Sequence, residues 1–335
     1  MSVSLVPSMA RRVLRAGAVA LLGVALGVTA VAANEPSPWL LPEDDAGTRI
    51  PALVPAPLAA PATPEPAPTP RPRPMPSPRP TPTPTPTPAP TPANDGIGYD
   101  ISYPQCGDAW PESFAFAIVG VNGGRVHNLN PCFGPSAETS QLEWAGRDAQ
   151  LYFNTGNPGP RISRYWPTGQ DDPRTCDQSS DADSADCSFL YGWNAAEFAH
   201  GAALEAYIDL GWLDPEADRL PADTMIWLDV EPANSWRRDR SLNVASLEGA
   251  VAYLESVGAE RIGFYSTPRL WNRITGGTDR FAGYPAWHAG ARDRADAERR
   301  CAEERSFTGG PLEMVQWVEN GLDHNVRCED ADPSS

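Results

Sequence analysis

The run WLDVEP at residues 227–232 sets two carboxylic acids, Asp229 and Glu231, two positions apart in an apolar stretch. On a strand, side chains alternate, so Trp227, Asp229 and Glu231 share one face while Leu228 and Val230 occupy the other. With Cα atoms about 6.7 Å apart, two ionised carboxylates at an effective dielectric of about 20 repel by about 2.5 kcal/mol, nearly two pKa units. One of the pair is then held protonated toward neutral pH, the state a general acid needs. A solvated acidic face on an edge strand is the plain alternative; the flanking apolar residues and Trp227 argue for burial. Two more acids, Asp100 in GYDIS and Asp323 in GLDHN, fall on the first and last strand-like segments. Closure of those strands into a barrel would gather Asp100, Asp229, Glu231 and Asp323 at one mouth, an arrangement for which a structural core has no use.

The elements that must position these acids read as alternating strands and helices. Short apolar runs with turn signals at their ends occur at 97–102, 114–121, 150–154, 224–230, 261–266, 285–289, 313–318 and 322–326. Helical spacing appears at 137–147, at 192–210, where Ala196, Ala199, Ala203 and Tyr207 repeat before Gly211, and at 245–256 before Gly258. Strand, helix and strand in succession imply parallel pairing with right-handed crossovers. The expected fold class is α/β, a parallel (β/α) TIM-type barrel, with an open doubly wound sheet as the fallback. Only four residues separate Val318 from Asp323, too few for a helix, so the barrel is expected to be incomplete at that end. The connection 155–191, rich in Asp, Ser, Gly and Pro, is too long for an ordinary βα loop and is expected over one mouth.

Composition divides the chain. Arg11, Arg12 and Arg15 precede an apolar run, 16–32, with small residues at a cleavage-like site, so residues 1–33 read as an export signal or an N-terminal membrane anchor. Residues 34–94 hold 22 of the 38 prolines and form a Pro/Thr-rich linker that cannot pack a core. Its stretch 61–92 favours polyproline II and would reach about 100 Å. The barrel domain is expected at 95–330. The leader carries +3 and the linker −1, so −19 of the formal −17 falls on the remainder, a charge that repels phosphate backbones and argues against nucleic acid.

All six cysteines lie in the domain: Cys106, Cys132, Cys176, Cys187, Cys301 and Cys328. An even count in an exported chain implies disulfides. Fifteen pairings are formally open; sequential pairing is preferred because each bridge then closes a local loop. No C-x-x-C or H-E-x-x-H spacing occurs and the four histidines, His127, His200, His288 and His324, are scattered, so neither a metal nor a cofactor is expected.

GYDIS, FAIVGVNGG, LYFN, WLDVEP, IGFYS, PAWHAG and VQWVENGLDHN follow in order the landmarks of glycoside hydrolase family 25, the lysozyme-like superfamily, and resemble more closely its actinobacterial glycoside-hydrolase-like relatives of unassigned function. The resemblance covers about residues 95–328. It implies five β/α units followed by three strands, and retaining cleavage of the β-1,4 bond between N-acetylmuramic acid and N-acetylglucosamine. It also implies Glu231 as general acid/base, Asp229 orienting the acetamido group or stabilising charge, and Asp100 and Asp323 shaping the pocket. Tyr99, Tyr152, Trp227, Tyr265, Trp287 and Trp317 are candidates for stacking on sugar faces, with Gln316 and Asn122 as polar contacts. Asn122 stands where the family carries a basic residue, Val315 and Gln316 replace an aromatic-glutamine pair, and the 155–191 segment is an insertion; these departures bear on substrate identity. The combined expectation is a monomeric, secreted or envelope-bound glycosidase acting on cell-wall polysaccharide, its apolar N-terminus offering a membrane tether. The rival is a non-catalytic glycan-binding module on the same barrel.

Overall fold

A computed structural model describes residues 96–179 and 182–328; the expected leader and linker lie outside the described residues. The chain runs β1 (Ile97–Ile101), a 3-10 turn (Tyr103–Gln105), β2 (Phe116–Gly120), α1 (Gln141–Ala145), β3 (Gln150–Asn154), α2 (Ala185–Asp209) and β4 (Ile226–Asp229). It continues through α3 (Arg240–Ser256), β5 (Ile262–Ser266), α4 (Pro268–Thr275), β6 (Ala286–Ala291), α5 (Arg294–Glu303), β7 (Leu312–Glu319) and β8 (Leu322–Arg327).

The eight strands close in sequence order. The strands from β1 to β7 pair in parallel, whereas β8 runs antiparallel to both β7 and β1. This corrects the expected parallel barrel at its last strand. The short β7–β8 connection is a tight turn at Asn320 and Gly321, both with positive φ, and a hairpin reverses direction by construction. What is missing at that end is a helix; the ring of hydrogen bonds is whole. The implied order of five β/α units before three bare strands shifts, though not its count. Only a 3-10 turn follows β1, α-helices follow the five strands β2 to β6, and β1, β7 and β8 lack one among the described residues.

Helix caps explain where the elements start. Ser184 accepts a hydrogen bond from Cys187 N and opens α2 well before residue 192, while Asp239 accepts from Ser241 N and opens α3 before 245. Thr267 with Pro268 at the first turn starts α4, and Asp293 starts α5. Ser140 and Gly146 confine α1 to five residues of the wider stretch its apolar spacing suggested.

Side-chain alternation divides the core into an inner and an outer layer. Outward residues such as Val119, Leu151, Phe153, Leu228 and Phe264 pack against α2 and α3. Inward residues Phe116, Ile118, Met225, Trp227, Trp287 and Met314 fill the barrel. Three of the interior rings lie over glycines that are their register partners on the neighbouring strand: Phe116 over Gly98, Tyr152 over Gly120 and Trp227 over Gly263. A Cβ on any of these glycines would come within 2.3–2.4 Å of the ring. Buried indoles also need acceptors; Trp227 Nε1 donates to Gln150 Oε1 (2.6 Å) and Trp287 Nε1 to Asn325 Oδ1 (2.8 Å).

The three disulfides are the sequential ones, Cys106–Cys132, Cys176–Cys187 and Cys301–Cys328. The first ties the loops after β1 and β2, the second ties the long insertion to the start of α2, and the third ties α5 to the end of β8. Two of them lie among the connections at the C-terminal ends of the parallel strands, where closing a loop restricts the unfolded chain.

Candidate active site

The four acids singled out by type and spacing share one cavity of about 220 Å³ at the C-terminal ends of the parallel strands. Asp100 on β1 and Asp323 on β8 are direct register partners. Asp229 ends β4, and Glu231 follows two residues later on the same inward parity. Half a turn of the ring separates β4 from β8, so the two pairs face each other across the mouth. Glu231 is half-buried, its main-chain carbonyl accepting from Trp236 Nε1 at 2.7 Å, while its carboxylate accepts no hydrogen bond from a described residue. Asp100 and Asp229 are buried.

A polar chain built from inward residues holds Asp100. Tyr265 Oη donates to Gln316 Oε1 (2.9 Å), and Gln316 Nε2 donates to both oxygens of Asp100 (3.0 and 3.1 Å). Asn325 Nδ2 donates to Asp100 Oδ1 at 2.6 Å, and Asn325 is itself fixed by Trp287. Across the mouth, Asn154 Nδ2 donates to Asp229 Oδ2, and Asp229 Oδ1 is buried without a hydrogen-bond partner.

Burial and mutual repulsion keep protons on this set. Burial, then the charge of Asp323, pushes Asp100 up to about 8 against the opposing pull of its amide donors. Burial, then Glu231, holds Asp229 well above the ordinary carboxylate range. Glu231 is raised by burial and then by Asp323, and Asp323 is raised by burial to about 6. Such a set can donate a proton near neutrality and can accommodate a developing positive charge.

The sign of the stability dependence follows. Asp100 loses its proton near its ordinary value of 3.8 when unfolded and near 8 when folded. Its contribution is therefore complete below pH 4 and is lost as pH rises toward 8; Asp323 acts in the same sense over a narrower interval. The melting temperature is expected to fall from pH 5 to pH 8, and Asp100→Asn is expected to flatten that fall. Calorimetric scans across the interval check this; an unchanged slope in the variant counts against a protonated Asp100.

Of the candidate binding residues, Tyr152, Tyr265, Trp287 and Gln316 line the cavity. Trp227 points inward but is absent from the lining: it packs beneath Trp287, with ring centroids 5.7 Å apart. Tyr99 and Trp317 do not belong to the mouth. Asp100 and Gln316 face inward, so their immediate neighbours must face out. There Tyr99 and Trp317 both pack on His324, at 4.8 and 5.2 Å between ring centroids. Asn122 is also corrected: it is buried, donating to Val126 O (2.6 Å) and accepting from Asn154 N (3.0 Å), and thus fastens a loop. The described residues of the 155–191 segment flank the mouth instead of covering it, for none of them lines the cavity.

The sequence reading missed Asn154, Asn325 and Tyr103. Asn154 and Asn325 had a usable signal, since each shares inward parity with a residue already chosen. Tyr103, 46% exposed, lines the cavity close above Gly124 and follows Asp100 by three positions.

Fold and site together define a β/α barrel with an acid-lined mouth. The sequence profile of the family described as Lysozyme-like protein 1 matches residues 221–308, which include Asp229 and Glu231. Probable GH family 25 lysozyme 4 of Dictyostelium discoideum is 32% identical over 148 residues, 42% of this chain and 65% of that protein. Probable GH family 25 lysozyme 2 of the same organism is 40% identical over 65 residues, 19% of this chain and 30% of that protein. The matches thus span less than two thirds of the length of these relatives. Among solved structures, a muramidase from Trichobolus zukalii has a TM-score of 0.41 at 14% identity, covering 70% of this chain and 95% of that one. A bacterial lysozyme from Streptomyces coelicolor has a TM-score of 0.40 at 13% identity, covering 70% and 93%. The sequence matches establish the resemblance to the glycoside hydrolase family 25 lysozyme-like superfamily.

Proposed function

We propose that the chain is an exported cell-wall glycosidase that cleaves peptidoglycan, or a related N-acetylated glycan, with retention of configuration. The observation that carries this reading is the convergence of Asp100, Asp229, Glu231 and Asp323 in one cavity, with Glu231 half-buried and biased toward its protonated form. Glu231 donates its proton to the glycosidic oxygen as the bond to the anomeric carbon breaks. The substrate's own acetamido oxygen closes on that carbon, with Asp229 orienting the group and offsetting the positive charge. Water then opens the cyclic intermediate, returning a proton to Glu231, and two displacements on one carbon restore its configuration. Tyr152, Tyr265, Trp287 and Gln316 contact the sugar, while Asp100 and Asp323 maintain the proton balance of Glu231.

The three disulfides suit an oxidising compartment, in keeping with residues 1–33 as the export signal or anchor and 34–94 as a spacer that carries a monomeric domain outward into the wall. Digestion of purified wall tests the reading: new reducing ends on N-acetylmuramic acid, identified by mass spectrometry of the released fragments, are the expected product. Binding to wall without release of reducing ends would replace the enzyme with the non-catalytic module.

A further inference from the structure

Beside the acid-lined cavity runs a second groove, of about 780 Å³, walled by the loop after β2, the inserted segment and the loop after β4. The two are contiguous: Ala233 lines both, and Gly124 lines the cavity while Arg125, the next residue, lines the groove. Their chemistry is opposite. Four carboxylates line the cavity, whereas among the described residues no carboxylate lines the groove, which presents Arg125 and Arg164 instead. Both arginines are exposed, and neither forms a salt bridge with a described acid. In a domain as acidic as this one, a cationic strip next to the cleft is a local reversal of charge.

The groove is preformed. Asn157 N donates to Ser235 O and Asn157 Nδ2 to Leu242 O, both at 2.8 Å, and Ser246 Oγ donates to Gly156 O at 2.8 Å. Arg237 pairs with Asp183, and the Cys176–Cys187 bridge sits in the apolar cluster beneath. Its surface also carries apolar area: Ile162 is 72% exposed and Tyr165 41%, with the Arg164 guanidinium 4.8 Å from the centre of the Tyr165 ring and donating to its hydroxyl at 2.6 Å.

We propose that this groove receives the carboxylate-bearing peptide that branches from a wall glycan whose sugar occupies the cavity, Arg125 and Arg164 pairing with its carboxylates while Ile162 and Tyr165 contact its apolar side chains. The inference rests on the glycosidase reading. Mixed apolar and cationic lining fits a peptide better than a phosphate polymer, which offers charge but little apolar surface.

The test measures affinity calorimetrically with the full chain carrying Glu231→Gln, which leaves the glycan uncut. Three soluble ligands are compared: glycan with its peptides, the same glycan stripped of peptides, and stripped glycan bearing anionic phosphate polymer. Peptide-bearing glycan is expected to bind about tenfold tighter than stripped glycan, an advantage reduced by high salt and lost on adding Arg125→Ala and Arg164→Ala. The double substitution leaves binding of stripped glycan and the melting curve unchanged. Equal affinity for peptide-bearing and stripped glycan, preference for the phosphate-bearing ligand, or equal weakening of all ligands by the double substitution would overturn the proposal. Binding to none of the three would instead overturn the glycosidase reading on which it rests.

Discussion

Glu231→Gln is expected to lower the rate of wall digestion by about 10²–10⁴-fold, the range that positioned proton transfer supplies, while leaving the fold in place. Glutamine matches glutamate in shape, and no described residue donates to the Glu231 carboxylate, so no internal hydrogen bond is broken. Replacing the acid also removes one member of a mutually repelling set. The melting temperature therefore stays level or rises slightly near neutral pH, which separates this loss from unfolding. Release of reducing ends within a few-fold of the parent rate would remove Glu231 from the mechanism. The backbone clamp from Trp236 to the Glu231 carbonyl belongs to both proteins, so the variant side chain starts from the same place.

The largest effect on stability is expected at the crossing of α2 and α3. A Cβ at Gly192 would lie 1.7 Å from Ser246 O, and a Cβ at Gly249 would lie 1.9 Å from Phe189 O. In each case the obstacle is main chain, which cannot rotate aside, so the helices must separate along a contact that buries Leu247, Ala196 and Val251. Gly192→Ala is expected to cost about 3 kcal/mol or more despite the better helix propensity of alanine, and to lower the melting temperature by about 6–12 °C for a domain of this size. Gly201→Ala, on the same helix, meets nothing within 4 Å and is expected to stabilise by up to about 1 kcal/mol. Opposite signs at two glycines of one helix distinguish packing from propensity; a neutral Gly192→Ala would mean that the helices do not meet backbone to backbone.

The strands and the acids were legible for one reason: period-two alternation is written directly into residue order. The 150–154 run became β3 with the same bounds, and the parity of Trp227, Asp229 and Glu231 carried into the barrel. The same alternation was legible at Gln316 and Trp317, and choosing both for the mouth was inconsistent with it. Depth was not legible. Trp227 and Trp287 share the inward parity, yet only Trp287 reaches the cavity, because depth depends on strand stagger, which no local pattern encodes. Pairing direction was hidden for a similar reason: β8 resembles its predecessors as a segment, and only the brevity of its connection to β7 shows the reversal. The starts of α2 and α3 were obscured by polar first turns, although Ser184 and Asp239 are caps whose type alone signals a helix N-terminus.

The pairing of Tyr152 with Gly120 reaches beyond packing. Tyr152 is part of the cavity wall, and it can lie flat there because its cross-strand neighbour has no side chain. A single methyl group at Gly120 would meet the phenol at 2.4 Å and Ser102 Cβ at 2.7 Å, and so would displace the ring from its place in the wall and reshape the cavity without touching any acid. The bore of this protein is thus gauged by an atom that the chain omits, at a locus that a scan of reactive groups would pass over.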